Sequence, residues 1–214
     1  MIQWKHENKF VDYRFAENAM SKRVEEIILN QNKELIWLLE HNNIYTLGTS
    51  AKTSDFKSEV SIPTYQTKRG GQTTYHGPGQ RVIYLMLDLR NGNRDLKQLV
   101  WNIEEWLILV LNELGLSGYR IPGLIGVWVK DPKDVNTDGS RDKKIASLGL
   151  RVKKWVTFHG LSFNVNPDLG FFNGINPCGI SGKGVTSLNE LGVKIKMEDV
   201  DSIFERNFSK IFLK

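Results

Sequence analysis

The sequence predicts a mixed α/β fold, in which several strands joined by hairpins pack under a few helices. Three observations predict it. Apolar residues recur at helical spacing in three places. Short runs rich in Val, Ile, Leu and aromatics lie between them. No repeat, low-complexity tract or linker cuts the 214 residues, so 1–214 reads as a single domain.

Taken in order, Ala16, Ala19, Met20, Val24, Ile27 and Ile28 mark an amphipathic helix over Ala16–Gln31. Glu34–Glu40 is an apolar run of strand length. Asn42-Asn43 supplies a turn before a second strand, Ile44–Leu47. Pro63–Thr67 reads as extended, and Arg81–Leu89 as a buried strand. Asp95 is placed to cap the clearest helix, whose apolar positions run from Leu96 through Leu99, Ile103, Trp106, Leu107, Val110 and Leu111 to Leu114. Gly115 follows where a C-terminal glycine belongs. Ile125–Val129, Lys144–Val152 and Trp155–Val165 read as strands, and Lys130–Lys143 as a polar loop. Met197, Val200, Ile203, Phe204, Phe208 and Ile211 mark a C-terminal helix.

Composition excludes several classes. Ten Phe, six Trp and six Tyr need burial, which argues against disorder. The longest purely apolar stretches, as in Trp106–Leu111, fall far short of the ~20 residues a bilayer needs. The first residues, Met1-Ile2-Gln3-Trp4-Lys5-His6-Glu7, contain no apolar signal core, so the expected location is cytoplasmic. The net charge of +5 is too mild to predict nucleic-acid binding. It suits an acidic protein partner, and a merely basic surface explains it equally well. The single cysteine, Cys178, excludes an internal disulfide or a multi-cysteine metal cluster; no metal is expected.

Three segments are dense in residues that packing alone does not require. In Arg69-Gly70-Gly71-Gln72-Thr73-Thr74-Tyr75-His76-Gly77-Pro78-Gly79-Gln80, four glycines and a proline exclude the interior of a helix or strand. Such a backbone approaches a ligand closely, with Arg69 and His76 as polar donors; a plain hairpin turn is the alternative. In Lys143–Val152, strand alternation places Lys144, Ala146, Leu148 and Leu150 on one face and Ile145, Ser147, Gly149 and Arg151 on the other. Lys144 there either meets desolvation or snorkels to water from the strand's start. The third comprises Phe158-His159-Gly160-Leu161-Ser162-Phe163-Asn164-Val165 and Ile175-Asn176-Pro177-Cys178-Gly179-Ile180. A cysteine at a Pro/Gly corner can be presented to a pocket as a nucleophile, although a free cysteine is more often an inert small hydrophobe.

At these segments the sequence resembles the lipoyl(octanoyl) transferase family, the octanoyl-[acyl-carrier-protein]:protein N-octanoyltransferases. The resemblance runs from Trp37-Leu38-Leu39-Glu40-His41 through Asn176-Pro177-Cys178-Gly179. It joins the Arg-Gly-Gly…His-Gly-Pro-Gly-Gln block, Lys-Ile-Ala-Ser-Leu-Gly and Pro-Cys-Gly in the family's order. It implies the fold of biotin and lipoate protein ligases, an α/β (α+β) domain with a mixed, mainly antiparallel sheet packed with helices. It also implies transfer of an octanoyl group from octanoyl-acyl carrier protein to a lysine of lipoyl domains, those of 2-oxoacid dehydrogenase complexes and of the glycine cleavage H protein, without ATP or a cofactor. Cys178 matches the family's acyl-thioester nucleophile and Lys144 its activating lysine. The substrate-binding stretches match Arg69 to His76, Ser147-Leu148-Gly149 and Gly160-Leu161-Ser162. Gly77, His159 and Gly179 are further candidates, Gly77 and Gly179 as backbone donors to an oxyanion.

Three other readings remain open. An ATP-dependent lipoate or biotin ligase on the same fold would need no cysteine. An amidotransferase between lipoyl domains would use one. A non-catalytic carrier-binding protein would form no covalent intermediate.

Overall fold

The computed structural model describes residues 2–56, 61–90, 92, 94–175 and 183–212. In chain order its elements are β1 (Gln3–Phe10), α1 (Tyr13–Ile28), β2 (Leu35–Glu40), β3 (Ile44–Leu47), β4 (Thr64–Gln66), β5 (Thr73–His76), β6 (Gln80–Met86), α2 (Leu96–Glu113), β7 (Tyr119–Ile121), β8 (Leu124–Lys130), β9 (Asp142–Lys153), β10 (Val156–Asn164), β11 (Gly184–Val185) and α3 (Met197–Phe212). The chain divides into two compact units. One comprises Met1–Arg94, Leu148–Ser162 and Pro167–Ser181; the other comprises Asp95–Ser147, Phe163–Asn166 and Gly182–Lys214. Among the described residues no helix is long and apolar enough to cross a membrane.

In the first unit, β1 pairs parallel with β2, β2 antiparallel with β6, and β10 lies beside β6. The α1 helix covers this sheet. Asp12 caps it, accepting the Phe15 N–H at 2.8 Å. Its Ala16, Met20, Val24 and Ile27 pack against Trp37, Leu39, Val82, Tyr84, Met86 and Val156. The sequence spacing is therefore right in kind, but the helix starts at Tyr13 rather than Ala16 because the cap is Asp12. A smaller sheet sets β3 between β4, parallel, and β5, antiparallel. Two elements differ from expectation here. Strand β1 has no counterpart among the expected elements, and most of its side chains are exposed. Strand β5 lies inside the glycine-rich segment: the glycines flank Thr73–His76 instead of excluding a strand, and β3 supplies the backbone partners. The β9–β10 turn places Lys154 and Trp155 at φ 47° and 66°, the left-handed pair a two-residue hairpin requires.

In the second unit, β7, β8 and the first half of β9 pair antiparallel, and β11 joins β9 parallel. Asp95 caps α2 as expected, accepting from the Lys97 and Gln98 amides at 2.9 and 3.0 Å. Gly115, just past the C-terminus, has φ 78°. Trp106 on α2 meets Phe204 and Phe208 of α3 edge-on, and its Nε1 donates to the Phe204 carbonyl at 2.9 Å. The polar loop is shorter than expected, because β8 extends through Lys130 and β9 begins at Asp142.

Candidate active site

Arg69 is buried, and its guanidinium serves the chain's own backbone. Nη2 donates to the Thr46 and Gln72 carbonyls, both at 2.6 Å, Nη1 to the Gly70 carbonyl at 2.9 Å, and Nε to the Thr46 hydroxyl at 3.0 Å. Such charge-assisted bonds fix the shape of the Gly70–Gln72 turn. The sequence casts Arg69 as a ligand donor; the structure shows these four bonds tying it to Thr46 and to the Gly70–Gln72 turn. Thr73 Oγ1 donates to Asp55 Oδ2 at 2.9 Å. Tyr75 donates to Asn43 Oδ1 at 2.8 Å and stacks on Phe171. Thr74 is buried alongside.

The turn meets a second predicted stretch within the same unit. A Cβ added at Gly149 would lie 3.2 Å from the Gly70 carbonyl oxygen and 3.4 Å from Arg69 Cδ, so Gly149 and Gly70 are brought together. Leu148 precedes this contact. Gly160, Leu161 and Ser162 lie buried on β10. A side chain at Gly160 would collide with the Ile83 carbonyl, so glycine there permits close approach of β6 and β10. Gly77 follows β5 at the turn into β6.

His76 belongs to a buried cluster that sequence reading missed. Its ring lies 5.9 Å from His41 and 6.0 Å from Tyr13, and His41 lies 5.9 Å from Tyr84. His41 Nδ1 lies 2.6 Å from the Val11 carbonyl, which can only accept, so Nδ1 carries the proton. Nε2 then accepts from the Tyr84 hydroxyl at 2.7 Å. By the same reasoning His76 Nδ1 donates to Gln80 Oε1 at 2.7 Å. Burial lowers His41 to about 4; burial, reinforced by His41 and Arg69, lowers His76 to about 3. Both imidazoles are neutral at physiological pH. Tyr13 is raised to about 12 by burial. Beside His76 itself, the sequence signal for the cluster was His41, just past the apolar strand β2.

His159 is 1% exposed, has φ 58°, and stacks on Phe158; neither ring nitrogen has a hydrogen-bond partner among the described residues. Burial, with Arg69 and Arg151 nearby, lowers it to about 3.

Lys144 and Ser147 belong to the second unit. Lys144 does not snorkel: it is 4% exposed. Its Nζ donates to the Ile125 carbonyl at 3.0 Å and lies 4.7 Å from the Trp128 ring centre. Strict face alternation also fails, since Lys144 and Ala146 pair with Trp128 and Val127, adjacent residues that point to opposite faces. The reason is a bulge: Val127 pairs with Ala146 and the next residue, Trp128, with Lys144.

Cys178 and Gly179, with the Pro/Gly corner, lie outside the described residues. Where description resumes, Lys183 donates to Asp142 and Ser140 at 3.1 and 3.0 Å and pairs with Asp138 at 3.0 Å. The Gly184 amide donates to Asn136 Oδ1 at 2.9 Å, and Val185 pairs in register with Lys144. The polar loop thus fastens β11 beside Lys144, a role its composition did not disclose.

A ligase-type catalytic domain is the class that this fold and motif set define. The lipoyl protein ligase A/B catalytic domain family matches residues 12–209, and the chain belongs to it. Curated relatives named octanoyltransferase match it over nearly its full length. That of Jannaschia sp. (strain CCS1) is 45% identical over 214 residues, covering 99% of both chains; that of Paramagnetospirillum magneticum (strain ATCC 700264 / AMB-1) is 46% identical over 211 residues, covering 99% of this chain and 97% of its own. Among solved structures, a bi-partite lipoate protein ligase from Thermoplasma acidophilum superposes with TM-score 0.69 at 16% identity, covering 100% of this chain and 84% of that one. A lipoate-protein ligase A bound with ATP gives 0.65 at 16%, with the same coverage. At those identities the likeness concerns the fold, which is the expected mixed, mainly antiparallel α/β arrangement.

Proposed function

We propose that the chain transfers an octanoyl group from octanoyl-acyl carrier protein to a lysine of lipoyl domains through a thioester on Cys178. The observation that carries this reading is identity near 45% with octanoyltransferases over 99% of the chain. The buried, fixed ammonium of Lys144 supports it.

A free thiol titrates near 8.5, so little thiolate exists at neutral pH. The Lys144 ammonium favours the thiolate electrostatically. The thiolate adds to the octanoyl carbonyl, the tetrahedral oxyanion collapses, and the carrier's sulfur leaves as a thiol with a proton from the Lys144 ammonium, which leaves Lys144 neutral. One thioester is exchanged for another, so no ATP is consumed. In the second half, the acceptor lysine gives up a proton, with neutral Lys144 as base, and its amine attacks the acyl-enzyme. An amide forms and the Cys178 thiol is restored. Two sequential transfers imply ping-pong kinetics. Lipoyl domains of 2-oxoacid dehydrogenase complexes and glycine cleavage H protein are the proposed acceptors, and acidic partners suit the +5 charge.

Intact mass after incubation with octanoyl-carrier protein tests this. One octanoyl group should appear on the wild type and none on Cys178→Ala. Full transfer by Cys178→Ala would overturn the nucleophile assignment. The fold also hosts an ATP-bound ligase, so ATP-dependent transfer from free octanoate is the second reading, and unlabelled enzyme with ATP-dependent product would favour it.

A further inference from the structure

We infer that Glu104, a carboxylate on the apolar face of α2, is a positioning residue for Lys144. This rests on the reading above only in that Lys144 takes part in the transfer.

Glu104 is buried, on a helix that also buries Leu99, Ile103, Trp106, Leu107 and Val110, and a buried charge is costly unless it is bonded. Its Oε1 accepts the Gly126 N–H at 2.9 Å, and its Oε2 accepts from Arg120 Nε at 3.1 Å. Arg120 has other partners: Glu105 Oε2 and the Trp101 carbonyl, at 2.8 and 2.9 Å, and the Trp101 ring at 4.5 Å. Pairing Arg120 alone therefore does not account for a carboxylate at position 104. The Gly126 amide does, because it sits at the peptide that holds Lys144.

That peptide is Ile125–Gly126. Its carbonyl oxygen, on Ile125, accepts the Lys144 ammonium at 3.0 Å, while its N–H, on Gly126, is tied to Glu104. One peptide plane thus links the carboxylate to the lysine. Gly126 has φ 123°, and a Cβ there would stand 3.2 Å from Lys144 Cε and 2.7 Å from the Ala146 carbonyl oxygen. The backbone here is cut to admit the lysine stem. Rotation of this plane would withdraw the carbonyl from Nζ and free the ammonium from the Trp128 face. With Glu104 bonded to its N–H, the plane is pinned, and the bulge opposite fixes where Lys144 departs from β9.

The Trp128 ring gives a direct readout, since its ring current shifts the Lys144 Hε protons upfield. In lysine-labelled protein, with the resonance assigned by its loss in Lys144→Arg, Glu104→Met should move Lys144 toward the shift of an exposed lysine. The rate of Cys178 acylation should fall ~10- to 100-fold at unchanged KM for the donor. Glu104→Gln, which keeps an acceptor for Gly126, should retain both the resonance and most of the rate. A folded Glu104→Met with an unmoved Lys144 resonance would overturn the inference. So would a folded Glu104→Gln that displaces it, a result that stands even if the methionine variant fails to fold. Wild-type acylation by Lys144→Ala would instead remove Lys144 from the proposed reaction, leaving the resonance test intact.

Discussion

Tyr84 and His41 show how much of the site depends on single bonds. The Tyr84 hydroxyl is the donor that the neutral His41 ring accepts at 2.7 Å, and both residues are buried. Tyr84→Phe removes the donor, keeps the volume and leaves Nε2 unpaired. The expected loss is ~1–3 kcal/mol of unfolding free energy, measurable by urea denaturation at pH 7, where an unchanged midpoint would refute it. The sequence marked His76 and His159 but could not pair His41 with Tyr84, 43 residues away, because strand register decides that pairing. It marked Arg69 as a ligand donor but could not show that the guanidinium also bonds the Thr46, Gly70 and Gln72 carbonyls, because those contacts depend on how the β3 and glycine-rich segments meet.

At the scale of elements, α2 was the most legible part of the chain. Its cap, apolar face and C-terminal glycine are all local signals. Its packing partner was not a local signal: Trp106 is fully buried by Phe204 and Phe208 of α3. Trp106→Ala should cost ~3–5 kcal/mol, the range for emptying a core aromatic site, and should also free the Phe204 carbonyl. Thermal unfolding followed by far-ultraviolet circular dichroism would measure it, and an unshifted melting temperature would contradict the packing account. Strand β9 was legible in extent but not in its faces. Period-2 alternation assumes unbroken pairing, and the bulge opposite Val127–Trp128 breaks it at Lys144. Strand β1 was invisible because an exposed parallel edge strand needs no apolar pattern; its backbone partner β2 defines it.

The whole molecule carries a pH dependence that follows from burial of three of its four histidines. His41, His76 and His159 are lowered from 6.5 to about 4, 3 and 3. Between pH 6.5 and those values the unfolded chain binds protons that the native state refuses. Their contribution is therefore full above pH 6.5 and is lost as pH falls, at up to ~1.4 kcal/mol per pH unit for each histidine. Denaturant titrations at pH 7 and pH 5 should show markedly lower stability at pH 5. Replacing His159 with Phe should flatten that slope; an unaltered slope would remove His159 from the account.

The sequence by itself determined the chemical inventory and the local elements: one cysteine at a Pro/Gly corner, a lysine in a strand, glycine-rich turns, capped helices. These depend on residue type and on neighbours within a few positions. Tertiary structure alone decided that Lys144 is buried against Trp128 and the Ile125 carbonyl, that Arg69 serves the backbone, that the polar loop fastens β11, and that Glu104 reaches Gly126. Each of those is a meeting of segments distant in the chain. Burial and hydrogen-bond satisfaction are set by which segments meet, and periodicity along one segment does not encode its partner.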